Sequence, residues 1–311
     1  MIRDILYTLD SPYRAPLEIT GFRFGKGEKT VAIVGAIRGN EVQQLYICSQ
    51  LISKLRALEA KGAITSDNEI LVVPSACPYS MNIGKRFWAV DNTDINRMFP
   101  GYDRGETTQR IADGLFQHVR GYSYGIQFAS FYMPGDFIPH VRMMETGFQS
   151  TSLANLFGLP YVLVRHPRPY DTTTLNYNWQ MNQTNAFSVY TNQTDRIDEV
   201  SAKQAVDAVL RFLSRIGVVR YHCHNGFLAS VIDEDQLYSI TAPDGGIYRG
   251  ICHPGDEVTR GDLLGEILDP YTGDVRAPVV SPTEGIVFFG YAQPLVMEHA
   301  ILYRIIRRLH G

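Results

Sequence analysis

Residues 30–36 read TVAIVGA, a short apolar, β-branched run that breaks at Gly39-Asn40. A run of this kind followed by a helical pattern predicts a buried strand feeding a helix. Over residues 41–58 the apolar positions Val42, Leu45, Tyr46, Cys48, Leu51, Ile52, Leu55 and Leu58 recur at three and four, the period of an amphipathic helix. Asn40 is suited to cap that helix, which puts Glu41 in the first turn, where the helix dipole favours a carboxylate. Further strands are predicted at 69–75, 124–131, 161–165 and 186–191, and further helices at 106–119, 150–157 and 200–215. Such alternation predicts an α/β sheet covered on both faces. The stretch 170–195, rich in Thr, Asn and Tyr, reads as a surface excursion over a pocket.

The pattern changes after Gly217. From Tyr238 onward short strand-like runs are divided by Gly, Pro and Asp turns, the signature of a small all-β unit. Segments 242–248 and 281–287 share one order of Pro, Gly and apolar positions, which predicts a sandwich of two similar halves. Two domains are expected, an α/β domain over 1–217 and a β domain over 218–311. The second is similar to the barrel-sandwich of lipoyl and biotinyl domains, through Ala242-Pro243, Gly255-Asp256-Glu257-Val258 and Gly261-Asp262-Leu263-Leu264. A carrier of that type needs a lysine for its cofactor, and Lys203 is the last lysine in the chain. What remains for this domain is a structural or homo-oligomerising role.

Composition narrows the partners. With 311 residues and a formal net charge of -3, the chain has no broad basic field, so nucleic acid is not an expected partner. No run approaches the roughly 18 apolar residues that span a bilayer, and the start lacks a signal-peptide pattern. A cytoplasmic protein without a membrane partner is expected. The four cysteines show no CxxC spacing, which argues against a disulfide framework or a thiolate zinc knot.

The polar motifs carry the chemistry: GAIRGNE at 35–41, NIGKRF at 82–87, DINRMFPG at 94–101 and PHVRM at 139–143. Together they resemble the succinylglutamate desuccinylase/aspartoacylase family, over roughly residues 1–217. The resemblance implies a zinc-carboxypeptidase-like mixed sheet flanked by helices. It also implies amide hydrolysis at a zinc ion held by two histidines and a glutamate, with a second glutamate activating the metal-bound water. Carried over residue by residue, the first metal histidine falls on Arg38, the metal glutamate on Glu41 and the second histidine on Ala129. The water-activating glutamate falls near Tyr190. Glu41 is then the only residual ligand, and no realignment changes this, because the first histidine in the chain is His118.

An arginine keeps its proton in a protein and opposes a dication. Arg38 is therefore expected to replace the metal electrostatically, in a bidentate pair with Glu41. The resemblance places Arg86, Asn96 and Arg97 where family members bind substrate carboxylates, with Arg38 and Arg142 nearby. That predicts a small anionic ligand of N-acyl amino acid type and no cofactor. The competing readings are a deacylase working through an altered site, with zinc as its cofactor, and a structural oligomer subunit.

Glu145 and Tyr190 are candidate acids or bases without a spacing argument. His222-x-His224 reads as a solvated or hydrogen-bonded pair, His140 as a pocket or packing residue, His166 as a strand end and Cys48 as core. No G-x-S-x-G elbow, Walker loop or G-x-G-x-x-G occurs.

Overall fold

The structure, a computed structural model, describes residues 1–307. It contains two compact units, one of Met1–Ser130 with Pro139–Val231, the other of Phe131–Ile138 with the chain from Ile232 onward.

The first unit is built on a nine-stranded sheet. Its strands are β1 (Ile2–Leu9), β2 (Leu17–Gly25), β3 (Glu28–Ala36), β4 (Asn68–Ser75), β5 (Tyr124–Ala129), β6 (His140–Met144), β7 (Tyr161–Arg165), β8 (Asn185–Tyr190) and β9 (Ser230–Asp233), which leads into the second unit. They lie in the order β1-β2-β4-β3-β5-β8-β6-β7-β9. The central pairs β4–β3, β3–β5 and β5–β8 are parallel, whereas β1–β2, β2–β4 and β8–β6 are antiparallel, so the sheet is mixed.

Helices α1 (Val42–Ala60) and α4 (Glu199–Arg215) pack on one face, and α2 (Thr107–Val119) and α3 (Leu175–Met181) on the other. The apolar run of β3 explains this layering. Val31 and Ile33 join the core under α1 and α4, while Ala32 and Val34 join the core under α2 and α3, as the period of two in a strand requires. A central parallel strand has no solvent face, hence no polar alternation.

Several expectations are corrected. Asn40 does not cap α1; the helix begins after Glu41 with no side-chain cap, because the Asn40 amide oxygen accepts from Arg86 instead. The edge hairpin β1–β2 lies outside the predicted elements. The stretch 170–195 is not a surface excursion. It supplies α3 and β8, with Leu175 and Trp179 fully buried and the Trp179 indole donating to the Val119 carbonyl at 3.0 Å. Its polar residues close local turns, as when Asn178 donates to the carbonyls of Thr172 and Thr174. The first unit also continues past Gly217. Val218 and Val219 stay in the core beneath α4, and Arg211 Nε donates to the His224 carbonyl at 2.6 Å.

The second unit has two sheets. One runs Leu237–Thr241, Ile301–Arg307, Gly285–Tyr291, Glu257–Val258, with Gly135–Phe137 pairing onto Gly285–Tyr291. The other runs Val275–Val280, Leu263–Leu268, Gly246–Gly250, Leu295–Val296. Leu264 and Ile267 from one sheet meet Val287, Leu302 and Tyr303 from the other in a common core. The two repeated segments enter strands Gly246–Gly250 and Gly285–Tyr291, one in each sheet. Among the described residues no helix is long and apolar enough to cross a membrane.

Candidate functional site

β3 delivers the chain to a turn at residues 37–40, and the first groups of the site lie there. Glu41 is completely buried. Its Oε2 accepts from the backbone N–H of Ile37 at 2.8 Å and of Arg38 at 3.0 Å, and its Oε1 accepts from Arg38 Nη1 at 3.1 Å and from the Ser130 hydroxyl. Four donors thus converge on one carboxylate.

Arg38, 6% exposed, lays its guanidinium edge along Asp94. Nε lies 3.0 Å from Oδ1 and 3.1 Å from Oδ2, and Nη2 lies 2.9 Å from Oδ2. The two-oxygen partner of Arg38 is therefore Asp94 and not Glu41, which takes a single bond. The reason is local: the second oxygen of Glu41 is already held by two backbone N–H groups. Asp94 in turn caps the short turn Ile95–Arg97, accepting from the Asn96 N–H at 2.9 Å. Burial opposes the Arg38 charge, but the carboxylates of Asp94 and Glu41 outweigh it and hold the guanidinium above its usual range. Arg38 is a permanent cation clamped between two anions.

Arg86 is the counterpart to this clamp. Its Nη1 donates to Asn40 Oδ1 at 3.1 Å, and its carbonyl accepts from the Gly39 N–H at 3.0 Å. Among the described residues it has no carboxylate partner. Burial first, and the Arg38 charge second, lower its pKa, with Glu41 and Asp94 offsetting part of the effect. An added anion would relieve both.

Tyr190, near which the resemblance carries the family base, ends β8 directly across from His140 in the antiparallel ladder. The two rings stack with centroids 4.9 Å apart, and Arg142 Cζ lies 4.6 Å from the Tyr190 ring centre. Burial raises the Tyr190 pKa although Arg142, Arg38 and Arg165 pull it down, so the phenol stays protonated at neutral pH and is a donor there, not a base. His140 is fully buried in this stack.

Asn96 and Arg97 are engaged by the chain itself. Asn96 Oδ1 accepts from the Leu175 N–H at 3.2 Å, and Arg97 Nη1 donates to the Tyr170 carbonyl at 2.7 Å and to Asp171 Oδ1 at 3.3 Å. Glu145 is not gathered with Glu41. It follows the far end of β6, five residues beyond His140, about 16 Å along an extended strand. There it pairs with His166 at 2.6 Å on the exposed rim. His224 accepts from the Gly226 N–H at 3.2 Å, and Cys48 is a core thiol whose pKa burial pushes far up.

The three zinc-ligand positions do not fit the ion. Arg38 brings a positive charge, Glu41 has both oxygens filled by donors, and Ala129 offers only a methyl, its carbonyl accepting from Gln44 at 3.2 Å. Among the described residues no three His, Cys, Asp or Glu side chains are grouped to hold a metal. Sequence reasoning missed Asp94 and Ser130 as the partners that complete the clamp. Asp94 stands within DINRMFPG, but its contact with Arg38 spans 56 residues and leaves no local signal.

The succinylglutamate desuccinylase/aspartoacylase catalytic domain matches residues 27–216. A curated relative, N-alpha-acetyl-L-2,4-diaminobutyric acid deacetylase of Halomonas elongata, is 23% identical, with 85% of this chain and 77% of the relative covered. The crystal structure of a succinylglutamate desuccinylase/aspartoacylase from Rhodobacter sphaeroides superposes with a TM-score of 0.80 at 19% identity, covering 99% of this chain and 95% of that one. The product-bound ectoine utilization protein EutE (DoeB) from Ruegeria pomeroyi superposes with a TM-score of 0.78 at 16% identity, covering 94% of this chain and 89% of that one. These structural likenesses establish the fold, and the domain match establishes the lineage: the chain belongs to the succinylglutamate desuccinylase/aspartoacylase family.

Proposed function

We propose that this family member has exchanged metal-dependent amide hydrolysis for binding of a small anion of the N-acyl amino acid class. The observation that carries the reading is the Arg38 guanidinium spread between Asp94 and Glu41, at 2.9–3.1 Å. Metal-dependent hydrolysis of an amide needs an ion with an open position for water and a base to take its proton. The resemblance carries the first metal histidine onto Arg38, a cation without a labile proton, and the base to near Tyr190, a protonated phenol.

The ligand class rests on Arg86, a half-buried cation with no carboxylate partner among the described residues. The Halomonas relative is named for an N-acetylated amino acid, which supports an acylated amino acid as the ligand.

Thermal unfolding tests this directly, with N-acetyl-L-amino acids added in the presence and absence of a chelator and product followed by NMR. A ligand at a hundred times its Kd stabilises the native state by about 2.7 kcal/mol. The expected result is a chelator-independent rise in Tm with no amide cleavage. Cleavage at enzyme-like rates that the chelator abolishes would overturn the reading.

A further inference from the structure

We infer that a cavity on α4, lined by Lys203, Asp207 and Arg211, is a binding site for a free amino acid. The ligand's carboxylate is taken by Arg211 and Lys203, and its ammonium by Asp207. No residue lining this cavity belongs to the Arg38, Glu41 and Arg86 cluster, so the site stands whether or not that cluster binds an anion.

Helical spacing sets the three charges on one face. Residues 203, 207 and 211 follow one another at four along α4, which stacks their side chains along one side of the helix. The cavity they line has a volume of about 250 Å³, the space of about eight water molecules at roughly 30 Å³ each. A molecule the size of L-valine fits that space. Val200 and Phe227 also line it, both exposed, and an aliphatic side chain would cover them.

Arg211 is built into its place, only 8% exposed. Two glycines in the left-handed region, Gly158 at φ 65° and Gly226 at φ 70°, pack against it. A Cβ at Gly158 would stand 2.9 Å from Arg211 Cδ, and one at Gly226 2.9 Å from Cζ, so a side chain at either position would push the guanidinium out. Nε donates to the His224 carbonyl at 2.6 Å and Nη1 to the Phe157 carbonyl. Both partners are neutral, Nη2 makes no hydrogen bond, and Arg211 forms no ion pair among the described residues. A buried guanidinium with its charge unanswered and one nitrogen open suits a carboxylate.

The other two charges are unanswered as well. Among the described residues neither Lys203 nor Asp207 has an ion pair or a side-chain hydrogen bond. Lysine four residues ahead of an acid is the weaker order for a helical pair, which leaves both groups to a ligand. An anion alone would be repelled by Asp207, and a cation alone by Lys203 and Arg211. A zwitterion answers both signs.

Isothermal titration of the intact protein with L-valine, N-acetyl-L-valine and isobutylamine tests the site, with Arg86→Gln included to remove the other candidate anion position. L-Valine should bind wild type and Arg86→Gln within about threefold of each other. In the Arg86→Gln protein, N-acetyl-L-valine, which lacks the ammonium, and isobutylamine, which lacks the carboxylate, should each bind about tenfold or more weaker than L-valine. Lys203→Met and Asp207→Asn, neither at a buried position, should each weaken L-valine by about tenfold or more. Failure of L-valine to bind at about 10 mM overturns the assignment. So does L-valine binding that either folded variant leaves unchanged, or an Arg86→Gln protein that takes N-acetyl-L-valine as tightly as L-valine. Loss of L-valine binding in Arg86→Gln would put the amino acid at Arg86 and overturn it too.

Discussion

Arg38 and Asp94 face each other edge to edge, with Nε and Nη2 of the guanidinium spanning both carboxylate oxygens at 2.9–3.1 Å. Two turns are tied by this pair, the one that leads β3 into α1 and the one that carries Asn96 and Arg97. Because the remaining Nη1 holds Glu41 at 3.1 Å, one side chain bridges two carboxylates.

Removing that side chain leaves the anions without their cation. Arg38→Met is expected to destabilise the first unit by about 3–5 kcal/mol, the cost of breaking a buried pair by deleting one partner. Urea unfolding followed by tryptophan fluorescence reads this unit, since Trp88 and Trp179 are both buried in it. A loss below about 1 kcal/mol would show that the clamp is electrostatically slack.

Arg86→Gln should behave in the opposite sense. The substitution removes a cation that burial and the Arg38 charge already disfavour, so stability should be unchanged or raised while affinity for N-acetyl-L-alanine falls by about tenfold or more. Paired titration and denaturation measurements check it. Unaltered affinity would place the anion elsewhere.

Gly39 couples the first motif to the Arg86 loop through close backbone approach. A Cβ there would stand 2.2 Å from the Lys85 carbonyl oxygen and 2.4 Å from the Ser80 carbonyl carbon. Gly39→Ala should therefore cost about 1–3 kcal/mol and weaken anion binding by displacing Arg86. Wild-type affinity and stability in this variant would refute the contact.

The first motif was legible in sequence because TVAIVGA and the three-four spacing of α1 are local signals, and so was the α/β class. The partners of the motif were not. The Asp94 contact is made by tertiary placement across 56 residues, and the residues that answer Asn96 and Arg97 lie at 170–175, within the Thr- and Asn-rich stretch 170–195, which has no period to read. The edge strand β1 exposes Ile2 and Ile5 beside Arg3, so its hydrophobic signal is diluted.

In the second unit, pH dependence should centre on Asp269. The backbone N–H groups of Thr272 and Tyr271, with Arg276, lower its pKa to about 2. A carboxyl whose folded pKa lies below the unfolded value, about 3.9, contributes stability that is present above that value and lost as pH falls toward about 2. The Tm difference between wild type and Asp269→Asn should accordingly be present at neutral pH and fade across that interval. A difference that stays constant down to pH of about 2 would contradict the assignment.

Zinc titration of the wild-type protein, with bound metal counted after dialysis and amide cleavage assayed in the same sample, bears most directly on the exchange of metal for Arg38. No stoichiometric zinc and no chelator-sensitive cleavage are expected. One zinc held per chain, with cleavage that disappears on chelation, would contradict it.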